Sequence, residues 1–439
     1  MTSNKTDSFN NQYIKFKRVI IISAFDLTTN SATDITLRSY FKYWPKDKLM
    51  ILTTSSNQQF FARTLTIKSS FKSQIRAFLV SLLLKRKNGV VNKNIIPGMF
   101  SNDFRQSLGL KQKAFMIIAA YFDLINPKIS RYIHKEINDF KPEIIYTIMG
   151  NIRILRAANS IAKKYKIPIV PHFMDDWIST TYTGSIFFKI PRNILLSSLK
   201  KMLSNAKFGY CISEKMCLEY YQQFHLKFFP LMNIVDSKNL TQTKIESNNF
   251  TKETEIVFTY FGGLHLNRWK SLKIFSDVLA TISKEKGYKL ILEIYTTDDE
   301  INKYSLILNQ KNIVFKKYVS HDIALQKMAQ TNFLIHVESF EKAVIAFTRL
   351  SLSTKIPEYL AASSPIIAIG PPNIASMKYL IDNECAYVIT SLEFPTIKNI
   401  IDNAIQGINM EILKANAYKL YLSNHSIKEV EKFLSLLSC

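Results

Sequence analysis

From residue 143 onward, short strand patterns alternate with helical patterns almost without interruption. The strand patterns of the whole chain fall, in order, at residues 18–24, 48–53, 143–149, 167–174, 207–212, 255–261, 289–295, 312–315, 332–337, 365–369 and 386–389. Helical patterns lie between most of them, and a long helical region is predicted over 104–140. Strands and helices that alternate in this way form a parallel sheet with helices on both faces. The sequence therefore predicts an α/β fold.

The alternation occurs twice, on either side of one polar stretch. The chain has 439 residues, which is long for one hydrophobic core, and residues 237–254 contain neither a strand nor a helix pattern. We therefore expect two doubly wound, Rossmann-like domains, 1–236 and 255–408, joined by a linker at 237–254. Helices at 409–439 would close the chain and could pack back on the first domain. Ligands would bind in the cleft between the domains, at the carboxyl ends of the strands.

Positive charge is concentrated in the first half of the chain. Residues 1–250 carry a net charge of +22 and residues 251–439 only +2, and residues 63–113 contain eleven basic residues and one acid, Asp103. Such a surface attracts phosphates of nucleic acid, of an anionic membrane or of a lipid diphosphate. The pattern over 69–84 is that of a basic amphipathic helix, which could lie on a membrane or pack on its own domain. We expect an anionic membrane surface as a partner.

The sequence also carries signals about the compartment. Its apolar runs are shorter than a membrane-spanning helix needs, and the N-terminal residues have no signal-peptide core. The four cysteines, Cys211, Cys217, Cys385 and Cys439, have no metal-ligand or pairing pattern, which favours reduced thiols. We expect a protein of the cytoplasm, either free or peripheral on the inner face of the plasma membrane.

The run from Leu350 to Pro371 reads as a polar turn, a short helix and a buried strand. Lys355 precedes the helix, where a cation is unfavourable beside the positive end of the helix dipole unless an anion is also present. Glu358, one turn later, could accept hydrogen bonds from a diol. Together the two side chains suit a phosphate next to a ribose. The alternative is a surface lysine and a solvated glutamate, and this run alone does not separate the two.

Several short motifs of the chain match those of a known family. They are Tyr260-Phe-Gly-Gly-Leu264 followed by Arg268, His336-Val-Glu338, Ser353-Thr-Lys-Ile-Pro-Glu-Tyr-Leu360, Ile366-Ile-Ala-Ile-Gly370, Thr33-Asp-Ile-Thr36 with Trp44-Pro45, Pro171-His-Phe-Met-Asp-Asp-Trp177, Cys211-Ile-Ser-Glu214 and Asn233-Ile-Val-Asp236. With these motifs the C-terminal half resembles the donor domain of GT-B-fold glycosyltransferases, especially the retaining, metal-independent enzymes that build bacterial surface polysaccharides. The resemblance covers nearly the whole chain.

The resemblance implies a donor site in the second domain. Gly262 and Gly263 would let a diphosphate approach the backbone, although an ordinary tight turn is the alternative for this pair alone. Arg268 and Lys355 would bind the diphosphate and, as catalytic groups, would stabilise its negative charge when it leaves. Glu358 would contact the ribose. The remaining donor-side residues are Ser353, Thr354 and Glu338.

The chain departs from the family pattern at one donor position. Better-known relatives have a second glutamate eight residues before the one that matches Glu358, and here that position is Leu350. Glu338 or Glu341 could take over its role at the sugar. The sequence leaves this choice open.

On the acceptor side, the resemblance points to the end of the predicted strand at 167–174. His172 and Asp176 are candidate catalytic groups and Asp175 a candidate acceptor contact. The alternatives are a structural histidine and aspartates that cap the next helix. Acceptor contacts are also expected from the loop after the first strand, at Thr29, Asn30 and Thr33.

The resemblance implies transfer of a glycosyl group from a nucleotide-diphosphate sugar to a saccharide acceptor, which we expect to be lipid-linked. No metal-ligand spacing, Asp-x-Asp motif or nucleophilic triad is visible, so we expect neither a metal nor another cofactor. A GT-B-fold sugar-nucleotide epimerase is an alternative, but its soluble substrate would not explain the basic first half. A nucleic-acid-binding protein is a second alternative, suggested by the pI alone; no nucleic-acid-binding motif supports it, and no nucleic acid is expected as a partner.

Overall fold

The computed structural model of the protein describes residues 15–23, 32–53, 62–67, 110–125, 127–236 and 255–438. These residues form two parallel sheets, each covered by helices, so the predicted class of two doubly wound α/β domains is confirmed. The predicted linker at 237–254, most of the basic segment 63–113 and the predicted amphipathic helix at 69–84 lie outside the described residues.

Seven described strands form the first sheet. They are β1 Val19–Ser23, β2 Leu49–Thr53, β3 Arg63–Thr66, β4 Ile144–Met149, β5 Ile169–Phe173, β6 Gly209–Cys211 and β7 Phe228–Pro230. Their spatial order is β3-β2-β1-β4-β5-β6-β7, and all neighbours are parallel. The direction of winding reverses between β1 and β4. Strands β3 and β7 were not predicted, because each has only a few residues and no clear apolar alternation.

The helices of the first domain follow the strands closely. They are α1 Ala32–Phe41, α2 Leu110–Asp123, α3 Arg131–Phe140, α4 Ile152–Tyr165, α5 Trp177–Thr180, α6 Lys189–Leu203 and α7 Glu214–Phe224. The single helical region predicted over 104–140 is wrong, because α2 and α3 are separate helices. Pro127, which lacks a backbone donor, lies between them, and Ser130 caps α3 by accepting a hydrogen bond from the Ile133 amide.

The second sheet consists of six described strands. They are β8 Glu255–Phe261, β9 Lys289–Thr296, β10 Ile313–Lys317, β11 Phe333–Val337, β12 Ile366–Ile369 and β13 Tyr387–Ile389. The order β10-β9-β8-β11-β12-β13 reverses direction between β8 and β11. The central strands are mainly apolar, and β11, for example, is buried over its full length, as expected for strands covered on both faces.

The second domain contributes seven described helices, and two more close the chain. They are α8 Arg268–Lys286, α9 Asp298–Tyr304, α10 His321–Gln330, α11 Lys342–Thr348, α12 Ile356–Ala362, α13 Ala375–Asp382, α14 Phe394–Ile405, α15 Met410–Asn424 and α16 Lys428–Ser438. Helix α16 packs on the first sheet: Phe433 contacts the rings of Tyr40, Phe41 and Tyr146. The last helix thus completes the core of the first domain.

The chain passes between the domains at two points that lie side by side. Residues before position 236 leave the first domain, and His425 lies where the chain returns to it. The Val235 amide donates to the His425 carbonyl over 2.9 Å, and the His425 Nδ1 lies 2.8 Å from the Asn233 carbonyl oxygen. The Tyr421 hydroxyl donates to the Val235 carbonyl over 3.1 Å. The two passages are therefore hydrogen-bonded to each other.

Among the described helices, we find none whose length and apolar content would let it cross a membrane.

Candidate functional site

The candidate site lies where the second sheet reverses its direction of winding, at the carboxyl ends of β8 and β11. Gly262 and Gly263 directly follow β8, and Glu338 directly follows β11. In doubly wound sheets the loops at such a point diverge and leave a crevice that binds ligands. The predicted donor residues thus share one edge of the sheet.

The glycine turn after β8 has no room for side chains. A Cβ on Gly263 would overlap the His265 ring, and one on Gly262 would lie 2.9 Å from the Tyr260 hydroxyl, which donates to the Gly263 carbonyl over 2.7 Å. Packing therefore restricts both positions to glycine, and both glycines are partly exposed at the edge of the sheet.

Glu300, on α9, stabilises this turn by hydrogen bonds. It was not among the residues predicted from the sequence. Its carboxylate accepts hydrogen bonds from the Leu264 amide over 2.8 Å and from the Thr296 hydroxyl over 2.6 Å. Burial would raise the pKa of Glu300, but hydrogen bonds from His265, Thr296 and Leu264 hold it at about 2. The signal available in the sequence was its position just after a predicted strand, at the same sheet edge as the glycines.

Arg268 and Glu338 form a largely buried ion pair beside the glycine turn. Helix α8 begins at Arg268, and its Nη2 lies 3.4 Å from Oε2 of Glu338. His336 Nε2 lies 3.4 Å from the other carboxylate oxygen. Burial would raise the pKa of Glu338, but the Arg268 charge and His336 lower it. Within the described part of the chain, the buried Arg268 Nε has no hydrogen-bond partner; burial would lower the pKa of Arg268, but the charges of Glu338 and Tyr260 raise it.

The structure separates the two candidate glutamates. Glu338 is buried against Arg268, and the end of β12 passes so close that a Cβ on Gly370 would lie 2.9 Å from the Glu338 Cβ. Glu341 instead accepts from Asn267 and from the partly exposed Lys270. Leu350, at the position of the missing glutamate, is fully buried. Of the two, Glu338 is the one beside the glycine turn and Arg268.

Lys355 and Glu358 form a second ion pair, at the start of α12. Lys355 Nζ lies 2.7 Å from Oε2 of Glu358, and Nδ1 of His321 lies 3.7 Å from the other oxygen. Glu358 is only 7% exposed, so the reading of a solvated glutamate is wrong. The anion that offsets a lysine at this helix start is Glu358 itself. His321 was not identified from the sequence.

Tyr359 joins the two ion pairs to the sheet. Its hydroxyl accepts from the Phe261 amide over 3.1 Å and donates to the Ile335 carbonyl over 3.2 Å, which fixes α12 against β8 and β11. The hydroxyl also interacts electrostatically with both Glu358 and Arg268. Both ion pairs therefore lie near the carboxyl ends of β8 and β11. Ser353 lies in the loop before α12, where its hydroxyl accepts from the Lys355 amide at 3.4 Å, and Thr354 is partly exposed beside it.

On the first domain, Asp176 is a link between the domains and not an open catalytic group. It is fully buried, and Oδ1 accepts from the hydroxyls of Ser179 and Tyr220, each over 2.9 Å. Its Oδ2 pairs with Arg349 of the second domain over 2.7 Å. Because every carboxylate oxygen is engaged inside protein, the expected catalytic role does not agree with this geometry. Arg349 carried no signal in the sequence.

His172 is also enclosed. It is fully buried on β5, and its Nδ1 lies 2.7 Å from the Tyr146 hydroxyl. Burial lowers the pKa of His172 to about 3, so the ring is neutral. Its neighbours include the ring of Tyr210, with Phe433 of α16 beyond it. The structural histidine that the sequence left as an alternative is the reading that agrees with the structure.

Asp175 faces the second domain at the cleft. Its Oδ1 accepts from the Ser351 hydroxyl over 3.0 Å, and burial together with the nearby charge of Asp176 raises its pKa to about 6. Thr29, Asn30 and the Thr33 side chain lie outside the described residues. The acceptor side is therefore represented by Asp175 alone among the predicted residues.

No group of three or more His, Cys, Asp or Glu side chains that could hold a metal ion occurs in the described ranges. Metal independence stays a prediction about the reaction. Cys211, Cys217 and Cys385 are buried free thiols.

No known family model matches the chain, and no curated protein matches its sequence. Solved structures do match its fold. HepE of Anabaena, solved in complex with UDP-glucose, is 14% identical, with a TM-score of 0.58 over 95% of this chain and 98% of that one. WaaG, a glycosyltransferase involved in lipopolysaccharide biosynthesis, is 10% identical, with a TM-score of 0.55 over 95% and 99%. Sucrose-phosphate synthase from Thermosynechococcus elongatus is 11% identical, with a TM-score of 0.60 over 96% and 98%.

These similarities extend over both domains and nearly the full length of each matched chain. At such low identity they establish the fold, which is the GT-B arrangement of two Rossmann-like domains.

Proposed function

We propose that the protein is a glycosyltransferase that moves a sugar from a nucleotide-diphosphate donor to a saccharide acceptor. The observation that carries the proposal is the set of groups at the β8–β11 edge: a turn that only glycine fits, the buried Arg268, and the Lys355–Glu358 pair. These are the groups that a diphosphate and a ribose require. That HepE, of the same fold, was solved with UDP-glucose supports the same class of donor here.

The donor would rearrange the Lys355–Glu358 pair. In the structure each charge neutralises the other across 2.7 Å. A diphosphate between the glycine turn and α12 would attract Lys355, and Glu358 would then accept hydrogen bonds from the ribose hydroxyls. Arg268 would bind the same diphosphate through its guanidinium group, and Glu338 would contact the transferred sugar.

The chemistry follows from where negative charge develops. The bond between the anomeric carbon and the diphosphate oxygen breaks, the electron pair stays on the diphosphate, and the acceptor hydroxyl forms the new bond and loses its proton. Arg268 and Lys355 would stabilise the departing diphosphate without a metal ion. In the retaining reaction that the resemblance implies, the leaving diphosphate lies on the face where the acceptor attacks and can take up that proton.

The acceptor would bind on the first domain, at Asp175, at Thr29 and Asn30 of the predicted loop, and at Thr33, which belongs to α1. We propose a lipid-linked saccharide of a bacterial polysaccharide pathway, because the first 250 residues carry a net charge of +22, which suits a lipid diphosphate and an anionic membrane.

The test is calorimetric titration with a panel of nucleoside diphosphates and their sugars, followed by an NMR assay of the nucleotide sugar with the protein alone. We expect saturable binding of one nucleotide, no change in the nucleotide sugar with the protein alone, and transfer of the sugar with retained anomeric configuration once an acceptor is added. Inversion at a sugar carbon without acceptor would identify an epimerase, and absence of nucleotide binding together with tight binding of RNA or DNA would overturn the proposal.

A further inference from the structure

The first domain exposes an apolar surface that is not part of its core or of the candidate donor site. Ile186, Phe187 and Ile190 are 80%, 60% and 55% exposed, and they lie on a 3₁₀ turn and at the start of α6. Ile118 and Tyr121, one turn apart on α2, are exposed beside them. The two segments touch, because the Tyr121 hydroxyl donates to the Phe187 carbonyl over 3.2 Å. We call these five residues the apolar patch.

Hydrogen bonds and packing within the turn keep Ile186 and Phe187 exposed. The Ser185 hydroxyl accepts from the Phe187 amide at 3.3 Å, and the Ser185 carbonyl accepts from the Phe188 amide at 3.1 Å. Phe188 is buried against Tyr182, whose hydroxyl donates to Asp123 at the end of α2. Because Phe188 anchors the turn inward, Ile186 and Phe187 point outward as an ordered pair. Contiguous exposed apolar surface of this kind marks an interaction site.

The charged residues of the two segments that carry the apolar patch are basic, with one exception. Residues 177–213, which carry Ile186, Phe187 and Ile190, include five basic residues and no acid. Between residues 104 and 135 the one acid is Asp123, and its carboxylate is buried and bonded to Tyr182. Lys113 and Lys189 are exposed on the two segments that form the patch. A second copy of this surface would bring like charges together, which opposes self-association.

We propose that the apolar patch inserts into the interface of an anionic lipid bilayer, with the surrounding lysines on the headgroups. Isoleucine and aromatic side chains framed by lysines are the composition of surfaces that lie at a bilayer interface. The patch follows α5, which begins directly after Asp176 at the carboxyl end of β5, so it lies on the cleft side of the domain. This inference rests on the proposed function only for its purpose, which is to bring the cleft to a lipid-linked acceptor.

The test is sedimentation of the full chain with vesicles of phosphatidylcholine alone and of equal parts phosphatidylcholine and phosphatidylglycerol. We expect binding to the anionic vesicles only. Ile186→Ser with Phe187→Ser should weaken it by at least about tenfold, since two large apolar side chains no longer enter the interface. The matched control is Leu306→Ser with Ile307→Ser, an exposed apolar pair of the second domain, which should bind as wild type does.

A second readout follows insertion directly. Phe187→Trp should give an emission maximum that shifts to the blue on anionic vesicles and stays unshifted on neutral ones. Wild-type sedimentation of the Ile186/Phe187 variant would overturn the proposal, and so would self-association in analytical ultracentrifugation that this variant abolishes. Nucleotide titration of the same variants separates the two ideas: intact vesicle binding without nucleotide binding would overturn the proposed function alone.

Discussion

Arg349 reaches from the second domain to the first, and its Nη2 lies 2.7 Å from Oδ2 of the fully buried Asp176. Two further hydrogen bonds cross the cleft beside it: the Ser213 hydroxyl donates to the Leu350 carbonyl over 2.6 Å, and the Ser351 hydroxyl donates to Asp175 over 3.0 Å. The segment that connects Glu338 with Lys355 is therefore fixed to the first domain. Domain arrangement and donor-site geometry should be coupled.

The first prediction concerns this coupling. Arg349→Ala should destabilise the fold by ~1–3 kcal/mol, because Asp176 keeps a buried charge without its cation. Adding Asp176→Asn should recover part of that loss, since the asparagine is neutral. Urea denaturation of both variants, with Asp176→Asn alone as the third corner of the cycle, measures the coupling. Strictly additive effects would mean that the ion pair contributes nothing.

The second prediction concerns the donor site. Lys355→Ala and Glu358→Ala should each weaken binding of a nucleoside diphosphate by more than ~1 kcal/mol, or about fivefold, the scale of a lost charge-assisted contact. Calorimetric titration is the measurement. Lys378→Ala is the control, because that lysine forms an exposed pair with Asp382 at 2.8 Å. Unchanged affinity in folded Lys355 and Glu358 variants would remove these residues from the donor site.

The third prediction separates stability from binding at the buried pair. Arg268→Met should cost ~3–5 kcal/mol of folding free energy, because Glu338 is left buried without its partner. Arg268→Met with Glu338→Gln should regain much of that stability and still fail to bind the nucleotide. Thermal unfolding and titration of the two variants give both quantities. A double variant that binds as wild type does would exclude Arg268 from the diphosphate.

The fourth prediction is a pH dependence of stability. Burial lowers the pKa of His425 to about 4 and that of His172 to about 3. Between these values and the ordinary pKa of about 6.5, only the unfolded state binds the protons, so stability should fall as the pH falls through this window. Each histidine contributes a slope of up to ~1.4 kcal/mol per pH unit.

Asp175 acts in the opposite direction, because its pKa is raised to about 6 and the folded state binds the proton more tightly. Denaturation of wild type and His425→Gln between pH 4 and 7 checks the balance. The variant should show a shallower loss of stability on acidification, and an unchanged slope would contradict the assignment of a neutral buried imidazole.

The fifth prediction concerns metal ions. Turnover with the identified donor and acceptor should persist in EDTA, because Arg268 and Lys355 supply the positive charge at the diphosphate. The control is the same assay with added Mg²⁺, which should not raise the rate of the chemical step. A strict requirement for a divalent ion would overturn the proposed mechanism.

The sequence predicted the elements that depend on local pattern. The alternation of strands and helices was enough for both sheets apart from β3 and β7, and Pro357 in the first turn of α12 marked the start of that helix. Gly262, Gly263 and Glu358 were selected because their residue types suit a close backbone approach and a diol contact, and these roles stay predictions. The fold class was therefore accessible from sequence alone.

Contacts between distant segments were not accessible in this way. Asp176 and Arg349 are 173 positions apart, and no local sequence pattern near either residue indicates a contact with the other. An aspartate pair after a strand has the same local pattern whether it meets a substrate or an arginine of another domain. For the same reason the enclosure of His172 beneath α16, some 260 residues later, could not be inferred.

The two hydrogen-bonded passages between the domains have a mechanical consequence. A single connecting segment would let one domain rotate about several axes. Two segments that are hydrogen-bonded at Val235 and His425 should instead act as one hinge. We therefore expect the cleft to open by rotation of one domain about an axis close to these residues, with the largest displacement at the rim of the cleft far from them. We expect a nucleotide at the β8–β11 edge to enter when the cleft opens about this axis. The Arg349–Asp176 ion pair, which joins the two domains, would then stabilise the closed arrangement.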